Sequence, residues 1–167
     1  MLQKVVNIMS LHDHEESQAM NLNPDLELIL SDFSSRFGHG SLVPHEVKAW
    51  MDAQMQRPQV YLEHASYDDE GYSRNVLFET KQTELVLVGW QAGQETPKHD
   101  HEGRSCSFMV LSGDIEEVRF DSSGHVSAQL KHQARDIVQI SDPTAIHQMA
   151  CRQGRALSLH IYSPPMG

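Results

Sequence analysis

The sequence lacks the features that mark secreted and membrane-spanning proteins. Its 167 residues include only two cysteines, Cys106 and Cys151, too few for a disulfide framework. The N-terminal residues 1–4 do not open the apolar run of a signal peptide, and no stretch approaches the ~18 apolar residues that cross a bilayer. We therefore expect a cytoplasmic protein with reduced thiols and no membrane association.

Basic residues are also scarce. There are 13 Lys and Arg against 23 Asp and Glu, a formal net charge of −10. Phosphate recognition needs clustered positive charge, so this balance argues against nucleic acid as the main partner. The apolar fraction of 39% is typical of a globular protein, and the length fits one domain over residues 1–167. We expect that domain to act as a monomer.

The first third of the chain carries helical signals. Residues 1–22 are polar without periodicity and are interpreted as a loose N-terminal segment. Asn23 followed by Pro24 fits an N-cap and the first helical position, and glycines at 38 and 40 end that helix. A second helix is predicted from residues 41–44, ending near residues 56–58. The region 23–58 therefore predicts two or three helices.

From Tyr72 the pattern changes to short β-rich runs separated by turns. Many short strands at close spacing favour a sandwich or a jelly-roll-like β-barrel over residues 72–165. The predicted fold is mainly β, preceded by the helices. The predicted strands are 73–80, 84–90, 97–101, 107–112, 115–120, 126–132, 136–140, 145–150 and 156–162.

Two histidines and a glycine frame carry the chemical signal. His99 and His101 stand at i and i+2, which on an extended strand places both imidazoles on one face. Together with Gly93, Cys106 and Gly113 they form the pattern G-x5-H-x-H-x4-C-x6-G, which resembles the first motif of cupin barrels. Cupins usually carry Glu where this chain has Cys106. The pattern predicts a cupin with a bound metal ion.

A third ligand is expected from a later strand, and His147 is the best candidate. His125 and His132 are alternatives, but they stand in a polar, charged hairpin and are expected to face solvent. A second histidine pair, His12 and His14, has no glycine frame and is interpreted as surface histidine.

Three neutral imidazoles would leave a divalent ion its full charge. Such an ion favours an anionic, chelating substrate, and a thiolate fits because metal binding deprotonates a thiol. Zinc with three histidines and a water is the rival chemistry, and the ligand set alone does not separate zinc from iron.

Three blocks of sequence resemble the cysteine dioxygenase type I family. They are His99-Asp100-His101 through Gly113, the run 72–75, and the run 158–165, in the family's order. The resemblance implies one Fe(II) per chain, held by His99, His101 and His147. It also implies L-cysteine and O2 as substrates, cysteine sulfinate as product, and no organic cofactor.

The resemblance further implies roles around the metal. Arg74 would pair with the substrate carboxylate, with Tyr72 assisting. Ser158, His160 and Tyr162 match a trio beside the metal, and their i, i+2, i+4 spacing independently places them on one strand face. In this interpretation His160 fixes the phenol of Tyr162, which orients the substrate.

Cys106 matches the position that in animal enzymes forms a thioether with the equivalent of Tyr162. We expect this cross-link to form here, with an unmodified buried thiol as the alternative. Two other functions stay open. One is a 3-mercaptopropionate dioxygenase on the same iron site, a branch that has Gln where this chain has Arg74. The other is a non-catalytic metal-binding cupin.

Overall fold

The computed structural model describes residues 23–140 and 146–166. Within them, three helices precede eight antiparallel strands. None of the described helices is long and apolar enough to cross a bilayer. The elements are α1 (Pro24–Phe37), α2 (Pro44–Gln54), α3 (Pro58–Leu62), β1 (Ser73–Glu79), β2 (Glu84–Gln91), β3 (Ser105–Ser112), β4 (Asp114–Phe120), β5 (Val126–Gln133), β6 (Ile137–Ile140), β7 (Ile146–Ala150) and β8 (Arg155–Ser163).

The first helix begins and ends where the sequence predicts. The Asn23 side chain accepts a hydrogen bond of 2.9 Å from the backbone N–H of Asp25, and Pro24 occupies the first turn. The helix ends at Phe37. Gly40 then adopts a φ of +80°, a conformation that favours glycine.

The second helix ends two residues before the predicted stop near residues 56–58. The helix α2 stops at Gln54, and Pro58, which was expected to end it, instead begins α3. The reason is that proline is as compatible with the first turn of a new helix as with the stop of an old one. The loose segment predicted at 1–22, with its histidine pair His12 and His14, lies outside the described residues.

The strands pair into two sheets. The larger has the order β1-β2-β8-β3-β6 and the smaller the order β5-β4-β7. Among the described residues no ladder joins the sheets into one closed barrel, so the jelly-roll-like prediction holds as two facing sheets. The mainly β class with N-terminal helices is confirmed.

Both faces of the larger sheet are buried, and they have different neighbours. Along β2, Leu85 and Leu87 pack with the helices, while Val86 and Val88 belong to a second cluster between the sheets. This explains why β2 is apolar at nearly every position instead of alternating. The space between the sheets is called the lumen below.

The predicted strand at 97–101 is not regular. Only two isolated bridges tie this segment to β7, one from Glu95 to Ala150 and one from His99 to His147. Glu95 and His99 are four residues apart in sequence, whereas their partners Ala150 and His147 are three apart, so the first segment has one extra residue that bulges out. Pro97 within the bulge has no N–H to offer to a ladder.

Candidate metal centre in the lumen

Three histidines meet in the lumen. His99, His101 and His147 each offer a ring nitrogen, and these three atoms lie within 4.8 Å of one another. Two come from the irregular segment that precedes β3, and the third comes from β7. Of the candidates for a third ligand, the structure thus brings His147 to the pair that the sequence singled out.

His99 and His147 are aligned by their own backbones. Each donates its N–H to the other's carbonyl, at 3.0 and 2.9 Å. The Nδ1 atoms are engaged elsewhere, by the carbonyl of Pro97 at 2.9 Å and by Glu117 Oε1 at 2.9 Å. The two Nε2 atoms therefore present lone pairs to each other across 3.2 Å. Nitrogens bound at about 2.1 Å to one ion would lie about 3.0–3.4 Å apart, which this distance fits.

His101 completes the set as a buried, neutral imidazole. Its side chain is 1% exposed, and its Nδ1 has no hydrogen-bond partner among the described residues. Burial, with the neighbouring His147 and His99, lowers the pKa of His101 to about 4, and burial likewise lowers the pKa of His99. Neutral imidazoles are the form that binds a metal, so this donor set fits a divalent ion.

A buried carboxylate supports the cluster from behind. Glu117 on β4 is 1% exposed and accepts hydrogen bonds from His147, from His132 at 2.8 Å and from Arg119. Burial raises the pKa of Glu117, but the bonds from His132, His147 and Arg119 outweigh it and hold that pKa below its usual range. Glu117 is therefore an anion that orients the ring of His147.

The expectation that His132 faces solvent is wrong. Its side chain is only 12% exposed and points to Glu117, whereas His125 is 82% exposed, as predicted. The polar hairpin suggested a solvated surface, but every second residue of β5 faces inward and His132 falls in that phase.

A row of hydrogen bonds runs along the inner face of β8. Trp90 Nε1 donates to Ser158 Oγ at 3.0 Å, Ser158 Oγ lies 2.8 Å from His160 Nε2, and His160 Nδ1 lies 3.1 Å from the Tyr162 hydroxyl. The rings of Tyr162 and His101 are 6.2 Å apart between centroids. The trio predicted from its spacing is thus beside the histidine cluster.

The direction of this row follows from its first donor. Burial lowers the pKa of His160 to about 3, so the ring is neutral and has one N–H. Ser158 accepts from the indole, and we assign its own proton to His160 Nε2, the acceptor 2.8 Å away. His160 then donates through Nδ1 to the oxygen of Tyr162. This assignment satisfies every group and leaves the phenolic proton for a neighbour in the lumen.

Cys106 stands directly opposite Tyr162 in the pairing of β3 with β8. Opposed side chains on one face of a sheet have Cβ atoms about 4.5–5.5 Å apart. Burial raises the pKa of the Cys106 thiol, an effect that a hydrogen bond with Tyr162 opposes, and burial also raises the pKa of Tyr162. Both groups are therefore protonated, and they are neighbours.

Arg74 lies on β1 in phase with the lumen-facing Val76, with 19% of its side chain exposed. Its guanidinium is paired with Glu84, which is 1% exposed. Tyr72 stacks on Trp90 with ring centroids 5.0 Å apart, at the edge of the same lumen.

Three residues around the site were not predicted from the sequence: Glu117, Glu84 and Trp90. Each shares its strand phase with buried apolar neighbours, Glu117 with Ile115 and Glu84 with Val86. For the two glutamates, a charged residue in the apolar phase of a strand was the available signal, since such a residue must be paired when it is buried. Trp90 has no such signal, because an aromatic residue is ordinary in that phase.

The fold and the site define the protein as a cupin with a three-histidine candidate metal centre. An RmlC-like cupin from Desulfovibrio desulfuricans superposes with a TM-score of 0.51 at 23% identity, covering 63% of this chain and 93% of that one. A protein from Thermus thermophilus superposes with a TM-score of 0.54 at 19% identity, covering 62% and 93%. At these identities the likeness shows the fold alone, and the predicted cupin fold is confirmed.

Sequence comparison gives the family. The family model for cysteine dioxygenase type I matches residues 24–167, so the chain belongs to that family. Cysteine dioxygenase type 1 of Danio rerio is 27% identical over 150 residues, 84% of this chain and 75% of that protein. The Rattus norvegicus enzyme is 28% identical over 129 residues, 72% of this chain and 64% of its own length, just under two thirds.

Proposed function

We propose that this chain is an Fe(II)-dependent thiol dioxygenase that adds both atoms of O2 to the sulfur of L-cysteine, giving cysteine sulfinate. The observation that carries the proposal is the meeting of His99, His101 and His147 in the lumen that also holds Arg74 and Tyr162. Membership of the cysteine dioxygenase type I family supports it.

The three histidines would hold one Fe(II) per chain. When bound, the ion would bring the thiol sulfur and O2 together and relieve the spin barrier to their reaction. The protein's part is to keep the imidazoles neutral and oriented, through burial of His101 and through the bond from His147 to Glu117. Neutral ligands leave the ion's charge available to stabilise a thiolate.

Arg74 is proposed to pair with the substrate carboxylate. A guanidinium has five N–H donors, so an edge can engage a carboxylate while another N–H is held by Glu84. Tyr162 would donate its free proton to the bound substrate, with Ser158 and His160 fixing the phenol. Tyr72 would contribute to the same subsite.

Three further points are part of the proposal. Cys106 and Tyr162 would form a thioether, with loss of the thiol hydrogen and one ring hydrogen and with O2 as the two-electron oxidant, and their cross-strand position supports this. The chain would act as a monomer in the cytoplasm, a compartment in which its two buried cysteines would form no disulfide. Nucleic acid would not be a partner, in keeping with the net charge of −10.

The test is oxygen consumption by protein loaded anaerobically with Fe(II), given L-cysteine, 3-mercaptopropionate and cysteamine in parallel. We expect uptake with L-cysteine at one O2 per sulfinate formed. Preference for 3-mercaptopropionate would contradict L-cysteine as the substrate while keeping the iron site. No uptake with any thiol, at full iron occupancy, would contradict the dioxygenase and favour a non-catalytic metal-binding cupin.

A further inference from the structure

Glu84 is a buried acid beside the proposed carboxylate anchor. It lies at the start of β2, in phase with Val86 and Val88, which face the lumen. Only 1% of its side chain is exposed. A carboxylate this buried needs a cation or strong donors to remain charged.

Its partners come from both ends of the chain's β region. Glu84 Oε1 accepts from a terminal nitrogen of Arg74 and, at 2.8 Å, from the backbone N–H of Met166. Arg74 stands opposite Val88 in the β1–β2 pairing, whereas Glu84 stands opposite Glu79. The two side chains therefore reach toward each other past the Val76–Val86 row instead of meeting as direct cross-strand neighbours.

Glu84 is also level with Tyr162 and Cys106 across three neighbouring strands. It is opposite Tyr162 in the β2–β8 pairing, and Tyr162 is opposite Cys106. The Glu84 carboxylate therefore lines the lumen between Arg74, which is proposed to bind the substrate carboxylate, and the pair formed by Cys106 and Tyr162.

We propose that Glu84 is a positioning residue that holds the Arg74 guanidinium and offsets its charge, and that it thereby lowers the affinity of the site for substrate carboxylates. This inference rests on the proposed function, in which Arg74 binds the carboxylate of the thiol substrate. The physical basis is competition: a substrate carboxylate meets an arginine that is already paired. An opposite charge beside the guanidinium reduces its attraction for a second carboxylate, and removing that charge should change the affinity for the substrate by a measurable factor.

The test substitution is Glu84→Gln. Glutamine keeps the size and an oxygen that can accept from Arg74 and from the Met166 N–H, but it removes the charge. We expect the KM for L-cysteine to fall by roughly threefold to tenfold, with kcat changed less. The KM for cysteamine, which has no carboxylate, should stay within about twofold, so the ratio of the two constants is the readout. Where wild-type protein does not turn cysteamine over, its inhibition constant against L-cysteine replaces its KM.

Glu79→Gln is the matched control, because Glu79 faces Glu84 in the same strand pair but is exposed. It should leave both constants at the wild-type values. Glu84→Asp keeps the charge and should give a KM ratio closer to wild type than Glu84→Gln does. A purely structural Glu84 would lower the unfolding midpoint of Glu84→Gln without moving the ratio, and that result would overturn the proposal.

A second measurement does not depend on Glu84→Gln folding by itself. With Arg74→Gln alone, Glu84 stays buried without its cation, so this variant should unfold at a lower urea concentration than the double variant Arg74→Gln/Glu84→Gln. Equal midpoints would overturn the pairing. If the wild-type protein oxidises L-cysteine and Glu84→Gln leaves the ratio of the two KM values unchanged, this inference alone is overturned. A wild-type protein that oxidises none of the three thiols overturns it together with the proposed function.

Discussion

The ring of His147 is fixed by Glu117, whose Oε1 lies 2.9 Å from Nδ1. The carboxylate is 1% exposed and is itself held by His132 and Arg119. A buried anion of this kind sets the tautomer of a metal-binding imidazole and increases its basicity. The affinity of the candidate metal site is therefore expected to depend partly on Glu117, which is not one of the three histidines that would bind the ion.

We expect Glu117→Gln to weaken Fe(II) binding by about tenfold to hundredfold, as is typical for loss of such a partner. Glutamine can still accept through its oxygen, but it has no charge to stabilise the imidazole. The measurement is competition for Fe(II) against a chromophoric chelator under anaerobic conditions.

The matched control is Glu116→Gln. Glu116 is the preceding residue of β4, but it faces outward, 46% exposed, and is paired with Arg152 at the surface. Its substitution should leave Fe(II) affinity unchanged. Equal affinities for wild type and Glu117→Gln would rule out the role assigned to Glu117.

Trp90 is expected to affect both stability and turnover. Trp90→Phe keeps an aromatic ring against Tyr72 but removes the donor to Ser158, so the direction of the hydrogen-bond row is no longer fixed. We expect a loss of about 1 kcal/mol in the free energy of unfolding, typical of a neutral hydrogen bond. We also expect kcat/KM for L-cysteine to fall about tenfold because the phenol is less well placed.

Trp50→Phe separates these two effects. Trp50 Nε1 donates to the Asp32 carboxylate at 2.9 Å in the helical layer, away from the lumen. Losing a bond to a charged acceptor should cost about 1.5–3 kcal/mol of unfolding free energy without changing kcat/KM. If Trp90→Phe lost stability alone, as Trp50→Phe should, its link to the phenol would be wrong.

Cys106 and Tyr162 are expected to become covalently joined. The two side chains oppose each other on adjacent strands, which places the thiol and the phenol side by side on one face of the sheet. Protein incubated with Fe(II), L-cysteine and O2 should show an intact mass lower by two hydrogens, and digestion should yield one joined peptide from β3 and β8. Cys106→Ala and Tyr162→Phe should both abolish the shift, whereas Cys151→Ala, on the other buried thiol, should keep it. An active sample that never shows the loss would contradict the cross-link.

Local signals in the sequence predicted much of the architecture. The Asn23 cap, the glycines after Phe37 and the period of two along β8 are properties of a few adjacent residues, and the structure bears them out. The histidine pair His99–His101 was also a local signal, although the extended strand that was expected to align it is interrupted by a bulge at Pro97.

The partners of the site residues could not be predicted in the same way. Glu117 meets His147 across 30 positions of sequence, and Trp90 meets Ser158 across 68. Such pairs depend on strand register, which a single sequence does not specify. The pairing of Glu84 with Arg74 could not be predicted for the same reason, because it depends on how β1 pairs with β2.

His160 makes the stability of the metal-free protein depend on pH. Burial, with the positive charge of Arg74, lowers the pKa of His160 from 6.5 to about 3. The unfolded chain therefore takes up this proton at a higher pH than the folded one. The stabilisation is complete above the unfolded value of 6.5 and is lost as the pH falls from there toward 3. The slope approaches about 1.4 kcal/mol per pH unit for one proton.

Urea unfolding of metal-free protein at about pH 7, 6 and 5 measures this slope. His101, whose pKa is lowered to about 4, adds a similar slope, so the informative quantity is the difference between wild type and His160→Gln. That substitution should reduce the dependence on pH by about one proton's worth. His125→Gln, at a side chain that is 82% exposed, should leave the dependence unchanged. Parallel curves for wild type and His160→Gln would mean that His160 has the same pKa in the folded and unfolded chains. That result would contradict a buried, neutral His160 ring, and with it the direction assigned to the hydrogen bonds from Ser158 through His160 to Tyr162.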